Sequence, residues 1–402
     1  MSADTAPLRV SLDVSAVPDR PVGAGHYILQ LADQLAARTD VDLVLSCRSA
    51  DRARWAPMVA SDDLFAVAPG PRPFRLIWEQ VRLGPLLASS GVAVHHGPHY
   101  TMPRHPPVPT VVTVHDLSFF DSPGWHQRSK VTLFRRAIRR AAREAAVVVC
   151  PSQVTAEALA RWCTVEAEVV VAPHGVDQAR FRPDEPSAGG DAASLLAIDS
   201  RLTSDRPFLV FVGTLEPRKD VPTLIRAFSS VASRHPEALL VLAGARGWGA
   251  DEVDAAVVGS GLEQRVVLTG YVDDTAIPSL LRSATAVVYP SLYEGFGLPA
   301  LEALACGATI VTTEGTAMAE VAGASALLFP PGDGPALADL LDLVLTGRGD
   351  ARAASERRSL GFEIVDRHTW RASADIHVAA YRSAAASGGD PLGANSPGAH
   401  SQ

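Results

Sequence analysis

Residues 285–307 read TAVVYPSLYEGFGLPALEALACG, a β-branched run followed by a glycine-rich turn and a helical pattern. Pro299 suits the first turn of that helix, where a proline removes no hydrogen bond. A buried strand that passes through a tight turn into a helix is the repeating unit of a parallel sheet covered by helices. This stretch therefore predicts one strand–turn–helix unit of an α/β fold.

The same alternation of short apolar runs and helical patterns continues along the whole chain. The predicted strands of the first half are LRVSLDVS (8–15), VDLVLSC (41–47), VAVHH (92–96), PTVVTVHD (109–116), AAVVVCPS (145–152) and EVVVAPH (168–174). Those of the second half are FLVFVGT (208–214), ALLVLAG (238–244), RVVLTG (265–270), TAVVYPS (285–291), ATIVTT (308–313) and SALLFP (325–330). Helices are predicted at GHYILQLADQLAAR (25–38) and KVTLFRRAIRRAAREA (130–145).

Each half thus predicts its own doubly wound, Rossmann-like domain, and ligands bind such sheets at the carboxyl ends of the strands. A chain of 402 residues fits two domains of ordinary size. The predicted organisation is two α/β domains facing a central cleft: an acceptor-side domain at 1–178, a linker rich in proline and glycine at 179–205, and a donor-side domain at 206–367. A helix at about 368–386 is expected to pack back on the first domain, and 387–402 is expected to be a disordered tail.

Composition and charge exclude several classes of protein. The formal net charge of -8 argues against general nucleic-acid binding, which requires a basic surface. We find neither a basic segment followed by an apolar one at the N-terminus nor an apolar run of about 20 residues, so a cytoplasmic protein is expected. The four cysteines show no metal-ligand spacing and are interpreted as reduced core thiols.

Two carboxylates flank the turn in the opening stretch. Glu294 lies in the glycine-rich turn and Glu302 just inside the following helix. The exposed N–H groups of such a turn favour anions, and the carboxylates can accept hydrogen bonds from sugar hydroxyls. The alternative is that Glu302 only complements the helix dipole and that Glu294 is a solvated loop acid.

A second segment, FLVFVGTLEPRKDVPTLIRAF (208–228), places two adjacent cations after a strand. Arg218 and Lys219 follow the strand at its carboxyl end, where they are well placed to bind a diphosphate. The alternative is a surface cation pair beside an ordinary turn.

Taken together, these two segments resemble the retaining GT-B glycosyltransferases of family 4. EGFGLPALE (294–302) matches the E-x7-E element of that family, and EPRKD (216–220) matches its phosphate-binding turn. The resemblance implies that Glu294 contacts the donor sugar, that Glu302 contacts the ribose, and that Arg218 and Lys219 hold the pyrophosphate. It further implies backbone contacts from Phe296, Gly297 and Leu298, and it extends the donor set to Gly213 and Tyr271. Thr214 departs from the family, several members of which carry an arginine there.

The resemblance continues in the first half of the chain. GAGHY (23–27) is similar to the glycine-rich loop of the family, which implies that Gly23 and Gly25 approach the donor closely. VVTVHDLSFF (111–120) resembles the active-site histidine segment, which makes His115 a candidate catalytic residue. His99, Tyr100 and Asp116 are candidate acceptor contacts.

The family resemblance also implies the chemistry and the ligands. Transfer of a hexose, with mannose from GDP-mannose as the first choice, would go to a saccharide or lipid-linked acceptor in glycan or glycolipid assembly. No metal or other cofactor is expected, and the spacing of His95, His96, His99, His105 and His174 fits no metal motif.

Two other classes of function stay open on the residues alone. Gly23 and Gly25 could begin a dinucleotide motif, but the third glycine and the ribose-binding acid are missing, which disfavours an NAD-dependent oxidoreductase. A non-enzymatic, two-lobed small-molecule binding protein would need no Arg–Lys turn.

The predicted helix at 128–145 is amphipathic and strongly basic. Its apolar side carries Val131, Phe134 and Ile138, and its broad basic side carries Arg128, Arg135, Arg136, Arg139, Arg140 and Arg143. The pattern is typical either of a helix that contacts an anionic membrane or of a docked helix with a solvated face.

Overall fold

The computed structural model describes residues 6–19, 21–183, 190–203, 205–347 and 349–387. The strands in these ranges are β1 (Leu8–Asp13), β2 (Val41–Arg48), β3 (Leu64–Ala68), β4 (Val94–Gly97), β5 (Thr110–Thr113), β6 (Val147–Cys150), β7 (Glu168–Val171), β8 (Phe208–Val212), β9 (Leu239–Ala243), β10 (Val266–Gly270), β11 (Ala286–Tyr289), β12 (Ile310–Thr313) and β13 (Ala326–Phe329). The α-helices are α1 (Ala24–Ala36), α2 (Arg52–Trp55), α3 (Arg72–Trp78), α4 (Gly84–Ser89), α5 (Ser118–Asp121), α6 (Arg128–Glu144), α7 (Gln153–Trp162), α8 (Gly190–Ile198), α9 (Val221–Val231), α10 (Ala250–Ser260), α11 (Ile277–Ser283), α12 (Leu298–Ala305), α13 (Ala317–Ala322), α14 (Gly334–Thr346), α15 (Ala351–Arg367) and α16 (Trp370–Ser387).

The chain divides into two compact units. Unit 1 comprises the described residues up to Pro151, then Thr155–Pro173 and the stretch that begins at Trp370, whereas unit 2 comprises Ser152–Val154 and His174–Thr369. Each unit contains one wholly parallel sheet, ordered β3-β2-β1-β4-β5-β6-β7 in unit 1 and β10-β9-β8-β11-β12-β13 in unit 2. Two Rossmann-like sheets were predicted from the alternating pattern, and this part of the prediction is confirmed.

Valine-rich strands form these sheets because parallel strands are covered on both faces. All four side chains of β6 and of β11 are buried. β3 is the strand that sequence analysis misses. It is a half-buried edge strand, so its run LFAVA lacks the continuous burial of the central strands.

The order of strands reverses at the same place in both sheets. In unit 1 the reversal lies between β1 and β4, and in unit 2 it lies between β8 and β11. At such a point, the connections that follow the two neighbouring strands run in opposite directions. The carboxyl ends of these strands therefore flank an open crevice. The loops after these four strands therefore have the position where ligands bind in doubly wound sheets.

The last helix belongs to the first sheet. α16 packs on α1 and on β4, β5 and β6, and it is part of unit 1. The stretch treated above as a linker, 179–205, contains α8 and lies within unit 2, whose described residues begin again at His174. Residues 184–189, residue 204 and nearly all of the tail at 387–402 lie outside the described residues.

Candidate active site

In unit 2, the turn after β8 holds two cations in a short helical turn. Pro217–Lys219 form one turn of 3-10 helix, which Asp220 ends in the left-handed region at φ 44°. The Thr223 hydroxyl donates to the Asp220 carboxylate at 2.8 Å and fixes this strained junction at the start of α9. The backbone thus presents Arg218 and Lys219 at the carboxyl end of β8.

Glu294 lies between these two cations. Arg218 Nη1 donates to Glu294 Oε2 at 2.7 Å, and Lys219 Nζ donates to Glu294 Oε1. Arg218 Nε also donates to Glu216 Oε2 at 3.0 Å. The turn after β8 and the turn after β11 are therefore joined through charged side chains, although 75 residues separate Lys219 from Glu294.

The paired side chains are buried. Lys219 is 5% exposed and Glu294 is 8% exposed, so Glu294 is not the solvated loop acid of the alternative above. Burial raises the pKa of the Glu294 carboxyl, but Lys219 and Arg218 together outweigh that effect and lower the pKa to about 2. Glu294 is consequently a carboxylate throughout the neutral range.

Around these charges, the loop after β11 turns sharply into α12. Gly297 has φ 121°, and a Cβ there would lie 2.8 Å from the backbone of Met318, so only glycine fits. The Phe296 ring is buried against His174, with ring centroids 4.8 Å apart. Leu298 begins α12, and Pro299 follows within its first turn as predicted.

Glu302 lies on α12, one helical turn beyond these residues, and is partly buried. Burial, aided by Asp274 and opposed by Arg180, raises the pKa of the Glu302 carboxyl to about 7. Burial is the largest of the causes that raise the pKa of Tyr289, and the nearby carboxylates of Glu302 and Glu294 raise it further. Both carboxylates therefore lie close to the Tyr289 side chain. Strongly shifted pKa values such as that of Glu302 are common at functional sites, which makes this carboxyl a candidate site residue.

The other two predicted donor residues in unit 2 lie at the same edge of the sheet. Gly213 follows β8 at φ 151°, and the backbone of Gly244 passes so close that a Cβ on Gly244 would clash with the Gly213 carbonyl. Tyr271 follows β10 and is 57% exposed. The part of Tyr271 in the site stays a prediction.

In unit 1, the loop before α1 contains the two predicted glycines. Gly23 has φ 51° and ψ -117°, a conformation that other residues avoid. Gly25 lies tightly against Pro18, because a Cβ there would lie 3.0 Å from the ring of that proline. The loop thus brings α1 close to the sheet, and Tyr27 packs edge-on against His115 with ring centroids 5.2 Å apart.

His115 follows β5 and is bonded to the neighbouring loop. Its Nε2 lies 2.8 Å from the Pro98 carbonyl, so Nε2 carries the proton and donates. Burial lowers the pKa of His115, and the ring is therefore neutral at physiological pH. A neutral ring held by a backbone carbonyl can present its other edge to a ligand.

The three candidate acceptor residues gather around His115. The Tyr100 hydroxyl donates to Asp116 Oδ2 at 3.0 Å, and Ser118 donates to Asp116 Oδ1 from both its backbone N–H and its hydroxyl. The rings of His99 and Tyr100 lie edge-on to His115 at 5.8 Å and 5.4 Å. Tyr100 adopts φ 65°, an uncommon conformation for a tyrosine that often accompanies a functional constraint.

Two of the remaining histidines serve the packing of α16. His96 Nδ1 lies 2.8 Å from the Tyr381 hydroxyl and His96 Nε2 lies 2.8 Å from Thr113, while His377 Nε2 lies 2.8 Å from the Tyr27 hydroxyl. His95 bonds Ser11 at 3.2 Å. The hydrogen-bond partners of these rings are hydroxyl groups inside unit 1. No cluster of three or more metal-ligating side chains occurs in the described parts of the chain.

Some residues near the site in unit 1 were not found from the sequence. Glu79 is buried in a single wide turn, Glu79–Leu83, that joins α3 to α4, and it accepts a hydrogen bond from Thr101 at 2.9 Å. Burial and the nearby Asp13 raise the pKa of Glu79 to about 8. Asp13 could have been found because it lies near the end of the strand predicted at 8–15, and it is the last residue of β1. The helix that carries Glu79 was not predicted.

The basic helix α6 differs from its predicted arrangement. Arg135 donates to the Phe119 carbonyl at 2.8 Å, and Arg140 donates to the carbonyls of Pro103 and Arg104 at 2.8 and 2.7 Å. These two arginines therefore hold α6 against neighbouring segments of unit 1. The predicted broad basic face is reduced to the exposed residues Arg128, Arg136, Arg139 and Arg143.

Two family models match this chain, one in each half, and the match in the second half contains the charged cluster of Arg218, Lys219 and Glu294. The model described as Glycosyl transferases group 1 matches residues 197–359, and the model described as Glycosyltransferase Family 4 matches residues 21–180. Together they match part of each unit and include all the candidate site residues. The chain belongs to the group 1 glycosyltransferases.

Individual relatives of this group 1 glycosyltransferase agree with the assignment. The O-antigen chain mannosyltransferase B of Escherichia coli is 30% identical over 244 residues, which are 60% of this chain and 62% of the relative. The chain thus spans about three fifths of that relative's length. A family of sugar-transferring enzymes argues against both the oxidoreductase and the binding-protein alternatives.

Solved structures show the same fold. The sucrose-phosphate synthase of Thermosynechococcus elongatus superposes with a TM-score of 0.76 at 22% identity, covering 94% of this chain and 100% of that one. Anabaena HepE in complex with UDP and glucose superposes with a TM-score of 0.64 at 20% identity, covering 92% and 98%. The predicted GT-B fold class is confirmed.

Proposed function

We propose that the protein transfers a hexose from a nucleotide-sugar donor to a saccharide or lipid-linked acceptor, with retention of the anomeric configuration. The observation that carries the proposal is the bonded cluster of Arg218, Lys219 and Glu294 at the strand reversal of unit 2. Two cations and a carboxylate at this edge match the needs of a ligand that contains both a diphosphate and a sugar.

Glu294 and Glu216 together balance the charge of the two cations, and Glu294 holds these cations side by side. A bound diphosphate brings oxygens that compete for Arg218 and Lys219, and each charge-assisted hydrogen bond contributes about 1.5–3 kcal/mol. The Glu294 carboxylate then becomes available to accept hydrogen bonds from the sugar. Glu294 thus prepares the phosphate site before the donor arrives and orients the sugar afterwards.

The proposed reaction takes place on one face of the sugar. The bond between the anomeric carbon and the phosphate oxygen breaks, the acceptor hydroxyl oxygen bonds to the same face of that carbon, and the hydroxyl proton passes to the departing phosphate. Arg218 and Lys219 stabilise the charge that develops on this phosphate. Two protein cations at the phosphate favour a reaction that needs no metal ion.

On the acceptor side, unit 1 supplies the cluster of His115, His99, Tyr100 and Asp116. The neutral His115 ring and the bonded Tyr100–Asp116 pair offer polar groups in fixed positions, which orient a hydroxyl at low entropic cost. Gly23 lets the loop before α1 approach a ligand without a side chain between them.

Mannose from GDP-mannose is our first choice of donor. The GTLEPRKD turn at residues 213–220 and the similarity to an O-antigen chain mannosyltransferase support this choice. The Anabaena structure contains UDP and glucose, so UDP-glucose is the second choice. A screen of donor hydrolysis and transfer with GDP-mannose, UDP-glucose, ADP-glucose and dTDP-glucose tests the proposal.

A nucleoside diphosphate is expected to raise the melting temperature of the protein, because it would bind the cations of the folded state only. At 100 times its Kd, such a ligand adds about 2.7 kcal/mol to the free energy of unfolding. Thermal shift measurements with GDP, UDP, ADP and dTDP, each repeated with EDTA, check this result. Stabilisation by NAD and by none of the four diphosphates contradicts the proposal, and loss of the shift in EDTA contradicts its metal independence.

Glu302 is expected to make donor binding depend on pH. Its carboxyl has a pKa of about 7, and only the carboxylate accepts hydrogen bonds from both ribose hydroxyls, so the donor KM should fall as pH rises from about 6 to 8. Glu302→Gln should flatten this profile, and Glu302→Ala should raise KM more than it lowers kcat. The exposed Glu314→Gln variant is the control. An unchanged profile in Glu302→Gln refutes the assignment.

We also infer peripheral contact with an anionic membrane. Its support is the exposed basic residues of α6, each of which adds about 1 kcal/mol of attraction near an anionic surface. None of the described helices is long and apolar enough to cross a bilayer.

A further inference from the structure

A chain of hydrogen bonds crosses the interior of unit 1, and both of its ends lie on α16. Its members are buried side chains of α16, β4, β5 and α1, and it closes on a backbone carbonyl of α16. The successive distances are Tyr381 Oη to His96 Nδ1 2.8 Å, His96 Nε2 to Thr113 Oγ1 2.8 Å, Thr113 Oγ1 to Tyr27 Oη 2.9 Å, Tyr27 Oη to His377 Nε2 2.8 Å, and His377 Nδ1 to the Ser373 carbonyl 2.7 Å. All five are ordinary hydrogen-bond distances.

The last bond fixes the direction of the bonds before it. A carbonyl only accepts, so His377 Nδ1 carries a proton and donates to Ser373. Burial lowers the pKa of His377 to about 4, so the ring is neutral at pH 7 and its Nε2 carries no proton. The Tyr27 hydroxyl must therefore donate to His377 Nε2. Its single proton is then used, so Tyr27 accepts from the Thr113 hydroxyl.

The same reasoning reaches the other end of the chain. Thr113 donates its one hydroxyl proton to Tyr27, so it accepts from His96 Nε2. Burial lowers the pKa of His96 well below its ordinary value, which leaves this ring neutral, and His96 Nδ1 accepts from the Tyr381 hydroxyl. One arrangement of protons thus satisfies all five bonds, and the loss of any member disturbs its neighbours.

Three members of the chain are attached to the contacts that hold His115. Thr113 ends β5, and the parallel pairing with β6 continues one residue beyond it, so His115 lies on the same face of the sheet. The ring of Tyr27 packs edge-on against His115. His96 lies two residues before Pro98, whose carbonyl accepts from His115 Nε2. The chain therefore ties α16 to the surroundings of the candidate catalytic ring.

We propose that this hydrogen-bond chain sets the orientation of His115 for sugar transfer, with Thr113 and Tyr381 as positioning residues. α16 then supports catalysis as well as the fold. The role of His115 in transfer rests on the proposed function, whereas the polarity of the chain does not. If the chain served packing alone, loss of one bond would lower the melting temperature and leave kcat of the folded protein unchanged.

Steady-state kinetics of variants at Thr113 separates positioning from packing. Thr113→Val keeps the shape of the side chain and removes the hydroxyl, and it should lower kcat about 10- to 100-fold, the cost of misplacing a catalytic group by about 1 Å. Thr113→Ser keeps the hydroxyl and should restore kcat to near the wild-type value. The control, Arg382→Gln, removes an exposed ion pair between α16 and Asp40 and should leave kcat unchanged.

Two conditions keep this comparison free of unfolding. All assays are run well below the melting temperature of the least stable variant. The thermal shift by a nucleoside diphosphate should be the same in every variant, because Arg218 and Lys219 belong to unit 2. Wild-type kcat in Thr113→Val overturns the proposal.

A double variant tests whether the chain acts as a unit. Tyr381→Phe removes the first donor of the chain and should lower kcat less than Thr113→Val does. Tyr381→Phe/Thr113→Val should lose little more than Thr113→Val alone, because residues that act through one network are not additive. Losses that multiply in the double variant would mean that the two residues act separately, and this result contradicts the proposal.

Nitrogen chemical shifts of the histidine rings test the polarity without any substrate. In the full chain labelled at histidine, His96 and His115 should carry their protons on Nε2 and His377 on Nδ1, with the His377 signals assigned from His377→Gln. The His115 signals should move in Thr113→Val and stay in place in Arg382→Gln. A proton on His377 Nε2, or unmoved His115 signals in Thr113→Val, refutes the chain. Failure of the proposed function is distinguishable, because it appears as absence of transfer by the wild type with every donor.

Discussion

Replacing Lys219 by methionine is expected to lower kcat/KM for sugar transfer by about 30- to 1000-fold. Lys219 is proposed to stabilise the departing diphosphate, and one such cation contributes roughly 2–4 kcal/mol to the transition state. Glu294→Gln should cause a similar loss, because the sugar loses its orienting carboxylate and the two cations lose the group that positions them. Steady-state kinetics with the best donor of the screen measures both effects.

Folding must be separated from catalysis in this experiment, because both residues are buried. Removing one partner of a buried ion pair destabilises a protein, whereas replacing both partners by neutral side chains is often nearly neutral. Lys219→Met/Glu294→Gln should therefore melt closer to wild type than either single variant does, and should remain inactive. Arg352→Met, on an exposed arginine of the same unit, is the control. Activity within about threefold of wild type in Lys219→Met would show that the site is assigned incorrectly.

Acidification from pH 7.5 to 4.5 is expected to destabilise unit 1 by several kcal/mol. Burial lowers the pKa of both His95 and His377 to about 4, compared with 6.5 in the unfolded chain. The unfolded state therefore binds protons first, so stability is complete above pH 6.5 and is lost as pH falls towards 4. A shift of this size corresponds to about 3 kcal/mol for each ring.

Other buried groups modify this dependence. His96 is buried beside His377, and burial also lowers its pKa. His96 therefore adds to the loss of stability at low pH. Glu79 opposes it, because its pKa is raised and its protonation favours the folded state as pH falls from about 8. Several histidines act against one carboxyl, so the net effect is destabilising.

Tryptophan fluorescence can follow unit 1 almost selectively. Five of the six tryptophans, Trp55, Trp78, Trp125, Trp162 and Trp370, belong to unit 1, and only Trp248 belongs to unit 2. Urea unfolding at a series of pH values should show a falling midpoint below pH 6.5. In His377→Gln the free energy of unfolding should fall less steeply with falling pH. The difference in slope should be up to about 1.4 kcal/mol per pH unit, which is the value for one proton. An equal slope in both proteins would mean that His377 does not titrate as inferred.

The sheets were predictable because burial on both faces leaves a clear trace in the sequence. The central strands contain continuous valine-rich runs, and these identify β6 and β11 without other information. β3 carries no such run, since an edge strand is only partly covered. The helix that contains Glu79 was missed because its apolar residues are divided between a buried side and an exposed stripe.

The candidate site was predictable in its residues but not in its bonds. The spacing of EGFGLPALE locates Glu294 and Glu302, and the EPRKD turn locates the cations, because each motif is local. The ion pairs of Glu294 depend on which strands are neighbours in the sheet, and a single sequence does not reveal this. The same limit applies to Arg135, whose carbonyl partner lies in α5, and to Arg140, whose carbonyl partners lie in the loop after β4.

The place of α16 in unit 1 also affects how the protein is made. The ribosome must synthesise the roughly 200 residues of His174–Thr369 after the first part of unit 1 has emerged and before α16 exists. At about 5–20 residues per second this takes roughly 10–40 seconds. During that interval Tyr27 and His96 lack the partners that α16 supplies, and the surface that α16 will cover is open. The nascent chain therefore exposes this surface until α16 has left the ribosome.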